Sequence, residues 1–136
     1  MIREIIHDPI FLSRKSAEAT ADDIRIAMDL ADTLRANLDR CVGMAANMIG
    51  QRKRIIAIVK GPIIITMLNP KILSKSGEYE TEEGCLSLAG TRKTKRWQSI
   101  RLSWQDVNMK EHTGTMDGFE AQIVQHEVDH CDGILI

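Results

Sequence analysis

The chain has 136 residues, 43% hydrophobic and 27% charged, a size and mix that fit one globular domain, 1–136, and exclude a disordered, collagen-like or coiled-coil polypeptide. Its 18 basic and 19 acidic residues nearly cancel, so there is no basic field for DNA and no polybasic membrane anchor. The first residues lack the long apolar stretch of a signal peptide, no apolar run of about 18 residues occurs, and three widely spaced cysteines, Cys41, Cys85 and Cys131, fit a reducing compartment better than a disulfide framework; a cytoplasmic protein is expected.

The first element in chain order is an amphipathic helix within 20–40, where Ile24, Ala27, Met28, Ala31, Leu34 and Leu38 recur at spacings of three and four,. Thr20 with Asp23 has the spacing of a capping box, Asp replacing the usual Glu. The runs RIIAIV and PIIITML, separated by KGP, predict a hairpin of buried strands. Strand-like segments follow on either side of Ser76 and Gly77. In 99–107, Ile100, Leu102 and Trp104 alternate with polar residues as a half-buried strand; Trp97 and Trp104 read as strand packing, and 93–96 as a solvated basic stretch. From Asp117 the period becomes helical, with Phe119, Ile123, His126 or Glu127, and His130 sharing a stripe. A closing strand is expected from Ile134, Leu135 and Ile136. Helix, strands, helix in that order is the pattern of an α+β fold.

His126 and His130 are four residues apart, so a helix points both rings at one place, and Glu127 between them can hold a water without acting as a ligand. That is general-base geometry. The competing reading is two core histidines that merely satisfy neighbours. The metzincin continuation H-E-x-x-H-x-x-G-x-x-H stops at Gly133, because Ile136 stands at the third histidine,, and too few residues follow His130 to supply a later glutamate. A third ligand therefore lies upstream, among Cys41, Cys85, His7 and His112. His7 and His112 sit in polar surroundings and read as surface residues; Cys131, turned about 100° from His130, reads as packing. Cys85, beside Gly84 in EEGCLSLAG, would complete a Cys-His-His set with a fourth position open.

The segments CVGMAANM (41–48), EGCLS (83–87) and QHEVDH (125–130) resemble, in order and spacing, the three motifs of the peptide deformylase family, G-x-G-x-A-A-x-Q, E-G-C-L-S and Q-H-E-x-D-H. The resemblance spans nearly the whole chain. It implies antiparallel β-sheets surrounding a C-terminal helix, with Cys85, His126 and His130 holding one divalent ion, ferrous iron natively and zinc, nickel or cobalt as substitutes. It further implies that Glu127 moves protons, that the Leu86 N–H stabilises the oxyanion, and that the N-formyl group of nascent formylmethionyl peptides is hydrolysed with release of formate. A bacterial cytoplasmic monomer with transient ribosome contact goes with this reading, made without a C-terminal tail.

The first motif departs from the family pattern. Met48 replaces the glutamine whose amide would donate to the oxyanion, and on an extended strand the adjacent Asn47 would point to the opposite face. Cys41 replaces the first glycine, while Gly43, Ala45 and Ala46 keep small residues beside the site. Val42, Leu86, Phe119 and Ile123 are candidate walls of a methionine pocket. Gly43, Glu83, Gly84 and Arg92 join Val42, Phe119 and Ile123 as candidate substrate contacts. Met48 motivates a second reading, a metal- and peptide-binding protein with weak or absent hydrolysis; a third, an ordinary metallopeptidase, sits poorly with the Cys85 context.

Overall fold

A computed structural model describes the whole chain, Met1–Ile136. Thr20 and Asp23 do form a reciprocal cap: the Thr20 N–H donates to Asp23 Oδ2 at 2.8 Å and Thr20 Oγ1 accepts from the Asp22 N–H at 3.3 Å. A 3₁₀ turn, Ala21–Asp23, leads from this cap into helix α2, Ile24–Ala36, preceded by a short α1, Pro9–Leu12. The buried residues of α2 are Ala27, Asp29, Leu30, Thr33 and Leu34. Met28 and Leu38, expected inside, are 56% and 46% exposed, because the helix ends at Ala36 and its inner face is rotated toward Leu30.

Five strands follow and form one antiparallel sheet in the order β1-β2-β3-β4-β5: β1 is Gly43–Ala45, β2 Ile55–Lys60, β3 Ile63–Cys85, β4 Leu88–Gln105 and β5 Glu111–Asp117. The KGP turn joins β2 to β3, with Lys60 opposite Ile63. Ile55, Ile56, Ala57 and Ile58 are all fully buried, which an alternating strand with one wet face cannot be. α2 and α3 both pack on β2, so an uninterrupted apolar run is what it requires. β3 runs unbroken through Ser76 and Gly77 and forms one long hairpin with β4, with register shifts. β5, EHTGTMD, has little apolar content and no sequence signal; it is held by pairing along β4 from Ser99 to Gln105.

The last helix, α3, is Gly118–Cys131. Its Ala121, Val124, Val128 and Cys131 join the core cluster with Leu12, Leu34, Met44 and Leu102, so Cys131 is packing as expected. Gly133, at φ +75°, ends the helix: the Ile134 N–H donates to the Asp129 carbonyl at 2.9 Å and the Gly133 N–H to the His130 carbonyl at 3.1 Å, a paired closure that favours glycine. A side chain there would meet the Ser13 carbonyl oxygen at 2.5 Å. The expected closing strand is absent. Residues 134–136 form no regular element, since the reversal at Gly133 leaves Ile134 49% exposed, while Leu135 packs partly against the core and Ile136 inserts, at 4%. No helix is long and apolar enough to cross a membrane.

Candidate metal centre

The tip of the β3–β4 hairpin carries Cys85 over the C-terminal half of α3, where His126 and His130 face it from successive turns. Cys85 Sγ lies 3.3 Å from His130 Nε2, which lies 3.2 Å from His126 Nε2. One donor atom from each residue falls within 4.8 Å of the others. Tetrahedral bonds of about 2.0–2.3 Å place neighbouring ligands roughly 3.4–3.6 Å apart, so two of the three edges already have nearly the spacing that a first-row divalent ion requires. Among Cys41, Cys85, His7 and His112, the structure brings only Cys85 to the histidine pair.

The partners of the rings fit the same use. The His126 Nδ1–H donates to Glu83 Oε1 at 2.9 Å, which turns Nε2 toward the other two donors; burial works against the charge, but Glu127, Cys85 and Glu83 hold the ring up at about 10, so a cation would take Nε2 in exchange for a proton. Burial, and after it the charge on His126, push His130 down to about 3, so its ring is unprotonated at neutral pH. Burial works against the charge on Glu83, yet hydrogen bonds from His126, Arg96 and Gln122 hold its carboxyl down at about 2. The Arg96 guanidinium meets Glu83 through Nη2 at 2.7 Å and Nε at 3.0 Å, and through Nη1 reaches Asp129 Oδ2 at 2.8 Å. Arg96 is 3% exposed. It is therefore not part of a solvated basic stretch: on β4 it faces inward, under α3, where two carboxylates neutralise it.

Glu127 is 4% exposed, and its Oε1 has no partner within the protein. Burial pushes its carboxyl up to about 7, where a proton can be both taken and returned. It lines a cavity of about 600 Å³ together with Cys85 and His126. Val42, Gly43, Glu83, Gly84, Leu86, Phe119 and Ile123 line it too, while Arg92 does not and donates to the Ala89 carbonyl at 3.5 Å instead. Phe119, 63% exposed, forms the mouth. The nearest neighbours of a Cβ on Gly84 would be 3.7 Å away, so close backbone approach within the chain does not explain that glycine. Gly43 is different: a Cβ would lie 2.6 Å from Ile123 and 2.9 Å from Glu127 Oε2, so small size at this position is what lets β1 sit against α3.

Asn47 and Met48 lie in a 3₁₀ turn, Ala46–Ile49, rather than on a strand. Asn47 Nδ2 donates to the His130 carbonyl at 3.0 Å, so its amide anchors the ligand helix and is turned away from the cavity. Met48 does line the cavity, its sulfur accepting from the Ala45 N–H at 3.5 Å. Gln125, given no role from the sequence, pairs both ends of its amide with the Trp97 backbone at 2.9 and 2.8 Å and fastens α3 to β4. His7 is exposed and His112 half-buried, but neither is free: His7 bonds the Ser87 carbonyl, and His112 stacks on Trp104 and bonds Asp106 at 2.7 Å. Trp97 packs against the core and lies under Lys75. The sequence shows Glu83 beside the cysteine but not that it is buried and needs a cation, so nothing in it singled out Arg96.

A family model for polypeptide deformylase matches residues 2–136. A peptide deformylase from Clostridium beijerinckii is 53% identical over 136 residues, covering 100% of both chains, and peptide deformylase 2 of Clostridium acetobutylicum is 40% identical, covering 91% of this chain and 85% of that one. Among solved structures, the class I type b peptide deformylase of Acinetobacter baumannii with bound Met-Ala-Ser superposes with a TM-score of 0.88 at 26% identity, covering 99% and 97% of the two chains. A peptide deformylase from Legionella pneumophila gives 0.86 at 34% identity, covering 99% and 83%.

Proposed function

From the premise that the chain belongs to the peptide deformylase family, we infer that it is a metal-dependent hydrolase that removes the N-formyl group from the initiator methionine of nascent polypeptides and releases formate. The observation that carries this reading is the convergence of Cys85, His126 and His130 on one point, with the unpartnered Glu127 carboxylate beside it. The binding-only alternative is not favoured, since the full donor set and the adjacent carboxylate are kept in a chain 53% identical to a named deformylase.

Cys85, His126 and His130 would hold the ion. When bound, such an ion supplies a Lewis acid that acidifies water and polarises the formyl oxygen. Ferrous iron is the proposed native occupant; one thiolate and two imidazoles also accept zinc, nickel or cobalt. Glu127 takes the proton of the attacking water and returns it to the departing amine, a role its carboxyl suits at about 7,. Glu83 fixes the His126 tautomer, and Arg96 keeps Glu83 ionised. The Leu86 N–H is the proposed protein donor to the oxyanion. Met48 adds none, so this chain relies on fewer donors than the family motif provides.

The methionine side chain is proposed to enter between Val42, Phe119 and Ile123, with Gly43, Glu83 and Gly84 shaping the wall; Arg92 would act from outside the lining. A relative that binds Met-Ala-Ser supports a site for peptides with amino-terminal methionine. Such substrates arise at the ribosome, so a transient encounter there, by a cytoplasmic monomer, completes the reading. The test is formate release from a formylmethionyl peptide by protein loaded anaerobically with ferrous iron. A fully loaded protein that binds the peptide yet releases formate no faster than the free ion would end it.

A further inference from the structure

Two consecutive residues of the amino-terminal segment bond two separate segments beside the cavity, the 3₁₀ turn at Met48 and the hairpin tip at Ser87. The Ile6 N–H donates to the Met48 carbonyl at 2.8 Å. His7 Nδ1 lies 3.0 Å from the Ser87 carbonyl, 80 residues away in sequence. A carbonyl only accepts, so Nδ1 carries the proton and donates, in the neutral ring and the cation alike.

Ser87 is 3% exposed, and its N–H donates to Cys85 Sγ at 3.4 Å. This one residue is therefore tied at both peptide groups, to the thiol on one side and to His7 on the other. The hairpin tip needs such an anchor. Gly84 pairs with Thr91 and Cys85 with Leu88, with a register shift between them that leaves Ala89 and Gly90 without rungs. In so short a turn, tilting the Ser87 peptide group also tilts its neighbours, including the one that bears the Leu86 N–H.

We propose that His7 is a positioning residue for the reaction, holding the turn at 85–87 so that the Cys85 thiol and the Leu86 N–H are aimed into the cavity. This rests on the reading of Cys85 as a ligand and Leu86 as the oxyanion donor. His7 touches no reacting atom. It is exposed, so it acts by geometry rather than by burial.

The test compares His7→Ala, His7→Asn and His7→Gln by kcat, by KM for a formylmethionyl peptide, and by the sulfur-to-metal absorption band of the cobalt(II)-loaded protein. Asn can place an amide N–H near the position of Nδ1, whereas Gln places its amide near Nε2. A misaimed donor predicts that His7→Ala lowers kcat roughly tenfold at nearly constant KM and shifts the cobalt band. His7→Asn recovers both; His7→Gln recovers neither. If His7→Ala does not fold, the contrast between Asn and Gln carries the test. A His7→Ala protein with wild-type kcat and band, or equal values for Asn and Gln, overturns the proposal. Wild-type protein that lacks turnover while its cobalt band still answers to His7 substitution would fault the assigned reaction and leave the clasp standing.

Discussion

Arg96 and Glu83 meet as a buried ion pair, Nη2 to Oε1 at 2.7 Å, with side chains 4% and 6% exposed. The second oxygen of Glu83 accepts from Arg96 Nε at 3.0 Å and from Gln122 at 2.9 Å, while Oε1 also receives the His126 ring. Removing the cation strands a buried carboxylate, a loss of about 3–5 kcal/mol. Urea unfolding of metal-free Arg96→Met protein should show a deficit of that size. A loss under about 1 kcal/mol would mean that Glu83 is held well enough by Gln122 and His126 alone.

Glu127 lies between the two histidines in sequence but is not part of the donor set. Glu127→Gln should therefore keep full metal content while turnover falls by roughly 10²- to 10⁴-fold. Metal analysis beside a formate assay separates the two effects. A variant that loses the ion along with the rate would make Glu127 a ligand instead.

Met48 puts a thioether where the family motif has an amide donor. Loss of one such donor costs roughly 10²- to 10³-fold in enzymes that depend on it, and Met48→Gln restores the group at the cavity wall. The expected result is a gain in kcat of about tenfold or more. An unchanged rate would show that the surrounding site is adapted to methionine, whose sulfur already satisfies the Ala45 N–H.

What the sequence discloses here follows from how local each feature is. The ligand helix needs only a four-residue spacing, and Cys85 follows from what two imidazoles lack. Arg96 could not be found this way: alternation puts Arg92, Thr94 and Arg96 on one face of β4, but only the docking of α3 makes the Arg96 end of that face dry. The same holds for α2, where both Met28 and Leu30 satisfy helical periodicity and tertiary packing selects Leu30. β5 owes its existence to pairing with β4, which composition does not encode.

Asp106 organises the turn between β4 and β5. Oδ1 accepts from the Asn108 and Lys110 N–H groups at 2.9 and 3.0 Å, and Oδ2 faces the His112 ring at 2.7 Å. The His112 bond, aided by those backbone donors, holds the carboxyl below the ordinary aspartate range. A group whose folded pKa is depressed stabilises the fold above its unfolded value, near 3.8, and loses that contribution as pH falls through the lower folded value. Asp106→Asn should thus melt below wild type at pH 7, and the gap should narrow as pH falls through the carboxylate range. A gap independent of pH would assign the effect to the turn geometry rather than to the charge.

Gly43 tests how closely β1 must approach α3. A methyl group there would lie 2.6 Å from Ile123 Cγ2 and 3.2 Å from Glu127 Cγ, and those side chains, 6% and 4% exposed, have little space to withdraw. Overpacking of this kind costs about 1–3 kcal/mol. β1 is an edge strand paired only with β2, so it can yield outward, and the strain then appears in the pairing of Gly43 with Ile58 and in the neighbouring bond from the Val59 N–H to the Val42 carbonyl at 2.9 Å. Glu127 can yield instead, and the strain then appears in turnover. Gly43→Ala should lower the melting temperature and either speed hydrogen exchange at Val59 or cut kcat by about tenfold, the order expected of a small displacement of a reacting group. Full stability with full turnover would mean that β1 and α3 do not sit this close, and the apposition of Gly43 to the Glu127 carboxylate would have to be given up.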